Sequence, residues 1–481
     1  MIELRPYQLE GERRIREAFA KGFRAPLYVL STGGGKTITF SSIAHSAERR
    51  GKRVLIMCHR VELVEQIVES LKNFDVIPDV IASGYHRDRH AVRGAHSVAV
   101  ASVQTLIRRL NDYQPPTLII CDESHHCVGN NSWAAVMKAY PEAKRLGVTA
   151  TPCRLDGRGL GTYFDTLIRG PSEQELIDAG YLVRTRIVAP QLADASGLHV
   201  RMGDYIIGES EALMDKPKIT GDAFSHYMKH TPHEQGLIFC TSVKHSMNVA
   251  AHFRDNGIPA LHLDGDTDKT IRRMAFADYR AGKILMLTSK DIFSEGVDCP
   301  GARVGIMLRP TQSLALYRQQ KGRTMRPASN KDHATLLDCV RNCEKPGFEL
   351  LPGELDEWEL TDDAVRKKRK PAVGVKVCPK CFSASSPRAY KCVNAPECDH
   401  IFKVKEDKLK KEDGELEEIT PEELQRRRER RALGYEQFKA DTPEKLAEVF
   451  RKKGYKGDLL GRAKHVLQAR AAKRIKENAN G

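Results

Sequence analysis

No stretch of this 481-residue chain stays apolar over the roughly 18–20 residues that a membrane-crossing helix requires, so no spanning segment and no membrane partner are expected. Aromatic residues make up only 6% and tryptophan occurs twice, which suits a soluble chain. The N-terminal residues Met1-Ile2-Glu3-Leu4-Arg5 place charge where a secretory signal would be apolar. No short-period repeat is visible. The expected location is cytoplasmic.

Against these absences stand a hydrophobic content of 41%, enough for real cores, and 29% charged residues. The length fits roughly two to four domains. The net charge of +15 is concentrated at one end: residues 361–481 hold 31 Lys and Arg against 20 Asp and Glu, while the first 360 residues hold 47 against 43. A nearly neutral body with a basic appendage favours an anionic polymer, through release of counterions from phosphates. A solvated basic tail is the plainer alternative.

Two segments carry chemistry. In the first, the apolar run 27–30 leads into Ser31-Thr32-Gly33-Gly34-Gly35-Lys36-Thr37 and then a helix-compatible stretch, 38–50. Residues without a Cβ let backbone N–H groups curl around an anion at a helix start, where the dipole also favours negative charge. Thr32, Gly33, Gly34 and Gly35 would form the cradle, Lys36 would reach the β/γ-phosphates, and the Thr37 hydroxyl would bind Mg²⁺. The strict glycine-loop pattern fails at its first position, which is Leu30. A flexible turn is the alternative for the loop alone.

In the second, Leu118-Ile119-Ile120-Cys121-Asp122-Glu123-Ser124-His125-His126 delivers an acidic pair at the end of an apolar run. Asp122 suits an Mg²⁺ carboxylate, and Glu123 suits a general base for an attacking water. A bend at the strand end would let both face the phosphates. Adjacent histidines rarely share one metal, so His125 fits coupling between domains better than ligation. Loop and acidic pair together indicate hydrolysis of a nucleoside triphosphate.

Further segments recur in a recognisable order. With Arg5-Pro6-Tyr7-Gln8, Cys58-His59-Arg60, Ser102-Val103-Gln104-Thr105, Thr149-Ala150-Thr151-Pro152, Phe239-Cys240-Thr241-Ser242, Ser294-Glu295-Gly296-Val297-Asp298 and Gln319-Gln320-Lys321-Gly322-Arg323-Thr324-Met325-Arg326, the chain resembles a superfamily 2 helicase of the DExH type over roughly residues 1–345. The resemblance implies two RecA-like domains that clamp ATP between them and carry nucleic acid across their tops. Arg5 and Gln8 would read the adenine. His59, Arg60, Gln104, Thr105, Thr241, Ser242 and Thr288 would contact the strand. Thr149 and Thr151, with His125, would couple hydrolysis to motion, and Gly296 and Asp298 would lie at the nucleotide. Arg323 and Arg326, three apart, would share one helix face and reach the γ-phosphate as arginine fingers, with Gln319 beside them in the catalytic set. The wording of Arg5–Gln8 and of residues 154–159 is similar to bacterial and phage DNA repair helicases that end in zinc ribbons. It is less like RNA-annealing DEAD-box proteins, which have Asp where this chain has His125.

The tail holds four clustered cysteines, Cys378, Cys381, Cys392 and Cys398. The Cys378–Cys381 spacing is that of a zinc knuckle. The second pair is looser, so the fourth ligand stays open between Cys398 and His400. A disulfide pair is the alternative, disfavoured in a cytoplasmic ATPase. Trp358 offers an anchor in the linker, and the run Arg366-Lys367-Lys368-Arg369-Lys370 suits phosphate contact or nuclear localisation.

The expected architecture is α/β: two RecA-like, doubly wound parallel-sheet domains in tandem, plus a small zinc ribbon and a basic helical tail. The expected limits are 1–185 for the ATP-binding domain, 186–235 for a connection and 236–345 for the second domain. A linker (346–375), the ribbon (376–404) and the tail (405–481) follow. The expected function is an ATP- and Mg²⁺-dependent DNA helicase or translocase holding Zn²⁺ and acting on single-stranded or forked DNA in repair, recombination or replication. Alternatives are a duplex-DNA translocase of a restriction or defence complex, an RNA helicase, and a nucleotide-gated binding module. Protein partners through the C-terminal region also stay open.

Overall fold

The structure is a computed structural model that describes residues 2–85, 96–110, 113–127, 129, 131–152, 159–201, 203–292, 299, 301–345, 347–349, 360, 374–387, 389–402, 436–437, 440, 442–455 and 457–467. Residues 294–298, with Gly296 and Asp298, lie outside the described residues. So do residues 154–158, Trp358, the basic run 366–370 and the segment 406–431.

The first lobe alternates strand and helix, as the spacing of its apolar runs predicts. Its strands are β1 (Pro26–Val29), β2 (Val54–Cys58), β3 (Asp79–Ile81), β4 (Val98–Ser102), β5 (Leu118–Asp122), β6 (Lys144–Thr149) and β7 (Thr166–Arg169). Its helices are α1 (Pro6–Ala20), α2 (Lys36–Glu48), α3 (Val61–Lys72), α4 (Val103–Leu106), α5 (Ser132–Ala139) and α6 (Glu173–Asp178). The strands form one sheet in the order β3-β4-β2-β5-β6-β1-β7, with every pairing parallel. Alternate residues enter opposite cores: Tyr28 and Leu30 join one face, Leu27 and Val29 the other. Helices on both faces explain why these strands read as continuous apolar runs.

The second lobe comprises β8 (Arg184–Val188), a short hairpin of β9 (Val200–Arg201) and β10 (Asp204–Tyr205), β11 (Gly236–Phe239), β12 (Ala260–His262), β13 (Met286–Ser289), β14 (Val304–Met307) and β15 (His333–Asp338). Its helices are α7 (Ile207–Met214), α8 (Pro217–His230), α9 (Val243–Asp255), α10 (Lys269–Arg280) and α11 (Leu314–Thr324). The main sheet has the order β12-β13-β11-β14-β15-β8 and is also parallel throughout.

The expected connection, 186–235, is part of this second lobe. β8 pairs with β15 from Arg184↔His333 to Val188↔Leu337. Met214, Ile219, Ala223 and Tyr227 of α7 and α8 pack in the same core as Ile238 and Ile306. The lobe boundary therefore falls before Arg184, because a long-range strand pairing claims residues that look like a linker locally.

The cysteine segment forms a small ribbon with β16 (Lys376–Val377) antiparallel to β17 (Ala384–Ser385). It is docked on the second lobe: Ser383 bridges to Val188, the Ala189 amide donates to the Phe382 carbonyl at 2.8 Å, and Phe382 packs against the α7–α8 core. Residues 405–481 form a separate compact unit. Its α12 (Pro443–Lys452) and a helix at 459–467 share a small core of Leu446, Ala447, Phe450 and Ala463.

Candidate nucleotide site and its links

The site lies at the C-terminal ends of β1, β5 and β6, the position where open parallel sheets bind ligands. The glycine loop turns on two left-handed residues, Gly33 at φ +84° and Gly35 at φ +82°, a region that β-carbon-bearing residues avoid. A Cβ on Gly34 would lie 2.9 Å from Leu30 Cγ, and one on Gly35 would lie 2.4 Å from Gln8 Nε2. The loop is clasped from α1. The Tyr7 hydroxyl donates to the Gly34 carbonyl at 2.7 Å, and Gln8 Nε2 donates to the Gly35 carbonyl at 3.3 Å. Gln8 Oε1 in turn accepts the Arg5 amide at 2.9 Å. Tyr181 completes this wall, its ring 4.9 Å from that of Tyr7 and 4.7 Å from the Arg5 guanidinium. Tyr181 had no motif to flag it, because it arrives from a segment far along the chain.

Lys36 opens α2 and donates to the Leu30 carbonyl at 3.4 Å. Burial pushes its ammonium below the ordinary lysine range; Glu123 and Asp122 pull it up, and Arg323 and Arg326 push it further down. The four other charged groups of the expected catalytic set, all of it but Gln319, thus act electrostatically on Lys36. Thr37 follows Lys36 in the first turn of α2. Asp122 and Glu123 are buried. The expected bend is present: Glu123 has φ +51°, a costly conformation for a non-glycine residue that turns the chain as the strand ends. Its amide donates to Asp122 Oδ1 at 3.0 Å.

The second lobe reaches the same place through α11. Gln319 and Arg323 are buried; Arg326, expected on the same helix face, lies two residues past the end of α11 at Thr324, where the helix has given way to a bend, and is half-buried. Thr32 Oγ1 and Gln319 Nε2 are enclosed and have no hydrogen-bond partner among the described residues. Buried polar atoms of this kind are costly unless a ligand satisfies them. A glycine cradle, a half-buried lysine, two carboxylates and two arginines fit a Mg²⁺–nucleoside triphosphate. Thr37 and Asp122 are the residues that would hold the metal.

Links run outward from the acidic pair. His125 Nδ1 lies 3.3 Å from Glu123 Oε2 and 3.3 Å from Thr149 Oγ1, and the Thr149 hydroxyl donates to the Thr151 carbonyl at 3.0 Å. The three expected coupling residues therefore meet. His126 packs its ring, tilted, against His125 with centroids 4.3 Å apart and against His59 at 4.2 Å. Arg60 donates to the Asp291 carbonyl of the second lobe at 3.4 Å. Of the expected strand contacts, Gln104 is exposed, and His59, Arg60 and Thr105 are half-buried.

The second-lobe contacts differ from expectation. Thr241, Ser242 and Thr288 are buried and their hydroxyls are used internally. Thr241 Oγ1 lies 2.9 Å from His245 Nδ1, Ser242 Oγ caps α9 by accepting the His245 amide at 3.1 Å, and Thr288 donates to the Ser246 carbonyl at 2.9 Å. Small hydroxyl residues at strand ends serve caps and surfaces alike, so residue type alone could not separate the two.

The ligand atoms of Cys378, Cys381, Cys392 and Cys398 all lie within 4.8 Å of one another. The Cys378–Cys398 sulfurs are 3.7 Å apart and the Cys381–Cys392 sulfurs 3.5 Å, near the roughly 3.8 Å of a tetrahedral Zn–thiolate site. Cys398 completes the cluster; the His400 ring instead meets Phe402 edge-on at 4.9 Å.

Comparison with known proteins agrees with this geometry. Residues 1–154 match the family of the type III restriction enzyme res subunit, and residues 218–328 match the helicase conserved C-terminal domain. A 51.5 kDa protein of a Lactococcus phage is 34% identical over 396 residues, 82% of each chain. The Saccharomyces cerevisiae protein named as the ATP-dependent helicase IRC3 is 29% identical over 364 residues, 70% of this chain and 51% of that one. The chain thus spans most of the phage relative but about half of the yeast one. A type ISP restriction-modification enzyme, LlaBIII, solved bound to DNA, shares the fold with a TM-score of 0.52 at 16% identity, over 70% of this chain and 28% of that one. No helix among the described residues is long and apolar enough to cross a membrane. With its two parallel-sheet lobes and its nucleotide motifs in order, the chain belongs to the superfamily 2 helicases of the DExH type, ATP-driven hydrolases that act on nucleic acid.

Proposed function

We propose that this chain is a DNA-stimulated ATPase that moves along DNA and separates strands. The observation that carries the proposal is the approach of α11 to the glycine loop, which brings an arginine-bearing helix of one lobe to the phosphate cradle of the other. Gln8 and Arg5 hold the base side of ATP, and Lys36 with Gly33–Gly35 holds the phosphates. The Glu123 carboxylate takes a proton from water as the water oxygen bonds to the γ-phosphorus and the bond to the ADP oxygen breaks. Arg323 and Arg326 stabilise the charge on the transferring group. Mg²⁺, held by Thr37 and Asp122, would supply further positive charge to the phosphate oxygens. Contacts from Arg60 and Gln104 to the phosphate backbone would carry little sequence preference.

The Cys378–Cys381–Cys392–Cys398 site holds Zn²⁺ in this proposal, and its docking on β8 makes the ribbon move with the second lobe. The basic excess beyond residue 360 supports an anionic partner. DNA is favoured over RNA because LlaBIII was solved on DNA and because the restriction-type family model covers the first lobe. That same family match keeps translocation along duplex DNA as a second reading.

The test is steady-state ATPase without nucleic acid and with single-stranded DNA, duplex DNA or RNA, with Lys36→Ala as control. DNA stimulation lost in the variant is expected. Stimulation by RNA alone would overturn the DNA assignment. ATPase on duplex DNA with no displaced strand from a fork would establish translocation in place of unwinding.

A further inference from the structure

Helix α11 is buried on nearly every side: Ala315, Tyr317 and each residue from Gln319 to Thr324 are buried. A polar helix in that setting is costly unless each charge is met. Lys321 sits two residues before Arg323, with its side chain only 5% exposed, and it is met twice. Its ammonium lies 2.7 Å from Glu349 Oε2 and 2.9 Å from Glu173 Oε1. The Tyr317 hydroxyl donates to the other Glu349 oxygen at 2.6 Å, which orients that carboxylate. The two carboxylates raise the lysine above its ordinary range against the opposing effect of burial, so the network is ionic.

The two partners come from different sides of the nucleotide site. Glu349 follows the second lobe directly, and its neighbour Phe348 packs in the second-lobe core with Tyr317. Glu173 opens α6 under a Ser172 capping box. The α6 segment contributes Leu176 and Leu182 to the first-lobe core that also holds Leu30 and Phe40. Leu182 lies against the glycine loop, since a Cβ on Gly33 would come 2.9 Å from Leu182 Cδ2.

We infer that Lys321 is a positioning residue for the arginine fingers: its pairing with Glu173 ties α11 to the first lobe and holds Gly322 and Arg323 at the phosphate site. Glu349 anchors the same lysine from the second-lobe side. A lysine with one partner on each side makes the position of α11 depend on both lobes. This inference rests on the assignment of α11 to the nucleotide site made above.

The test is ATP-concentration dependence of ATPase, with saturating DNA, for the intact chain, Glu173→Gln, Lys321→Met and Arg323→Ala. Glu173 is at the surface end of the network, so Glu173→Gln is expected to fold with an unchanged melting midpoint. It should lower kcat/KM for ATP by about 5-fold or more, mostly through kcat, because the arginines act on the transferring group. Lys321→Met should show the larger loss, and adding Glu173→Gln to it should cost little more. Unchanged kcat/KM in Glu173→Gln, or a loss matched by a lowered melting midpoint, would overturn the positioning role. Full turnover in Arg323→Ala would instead overturn the assignment of α11 on which the inference depends.

Discussion

Thr32 and Gly322 meet with no room for a methyl group: a Cβ on Gly322 would lie 2.6 Å from the Cβ of Thr32 and 2.7 Å from its Cγ2. One residue belongs to the phosphate loop and the other to the arginine helix, so the glycine sets how closely the lobes join. Gly322→Ala should push α11 away from the loop. A displacement near 1 Å at such a site costs on the order of 100-fold in rate. Steady-state ATPase should fall by about that factor, while fluorescence titration shows nucleotide binding retained.

Glu123 combines a left-handed backbone with a contact to His125, as a water-orienting base at a strand end would. Glu123→Gln keeps the shape and removes the basic oxygen. Turnover should drop by roughly 10²–10⁴-fold with ATP affinity within a few-fold of the intact chain. Single-turnover measurements check this, and near-normal turnover would sink the base assignment.

His126 joins His59 to His125, with ring centroids 4.2 Å and 4.3 Å away. It therefore links the segment proposed for strand contact to Glu123 through His125. His126→Ala should leave basal ATPase near normal and blunt its stimulation by nucleic acid, and His126→Phe should restore part of the stimulation. Equal loss of basal and stimulated rates would point to a fold defect instead.

The four-thiol cluster predicts one zinc per chain by elemental analysis. Cys378→Ser should lower the zinc content and weaken DNA binding. ATPase without nucleic acid should change little, because the ribbon meets the second lobe at β8, the edge strand of that lobe's sheet, whereas the nucleotide site lies at the ends of β1, β5 and β6 and on α11. A full zinc complement in Cys378→Ser would exclude it as a ligand.

Acid should weaken the second lobe. Burial lowers His245 from 6.5 to about 4, only partly opposed by Asp215 and Glu211. His230 is likewise brought down to about 4 by burial, then by Arg186 and its histidine and lysine neighbours. Between pH 6.5 and 4 the unfolded chain binds protons that the folded chain refuses, so stability present above about 6.5 is lost as pH falls through this window. His245 alone, fully buried, is worth about 3 kcal/mol over that range. Urea unfolding at pH 7.5 and 5.0 should show the loss, and His245→Gln should reduce it.

Much of the site is legible in the sequence because its signals are local. Residues 31–37 combine an apolar strand, three glycines and a helix start, and left-handed φ angles at Gly33 and Gly35 are what such a run permits. The Asp122-Glu123 pair ends an apolar run that forms β5. The paired spacings of four cysteines close a loop small enough to bring the sulfurs together. The two-lobe parallel architecture follows in the same way, from apolar runs separated by helix-length segments.

Other features were decided only in three dimensions. β3 and β12 are three residues each, too short for any periodicity to register. β8 looks like a connector until its hydrogen bonds to β15 are made. Thr241 and Thr288 carry the right residue types for a strand contact, yet neighbouring helices and strands bury them. The pairing of Lys321 with Glu173 and Glu349 has no pattern along the chain, because an ion pair needs only proximity and proximity is set by packing. Sequence by itself determined the chemistry of each local segment, through backbone freedom, apolar run length and ligand spacing. Tertiary structure decided which segments share a site, because burial and long-range strand pairing bring them together over separations that local patterns do not encode.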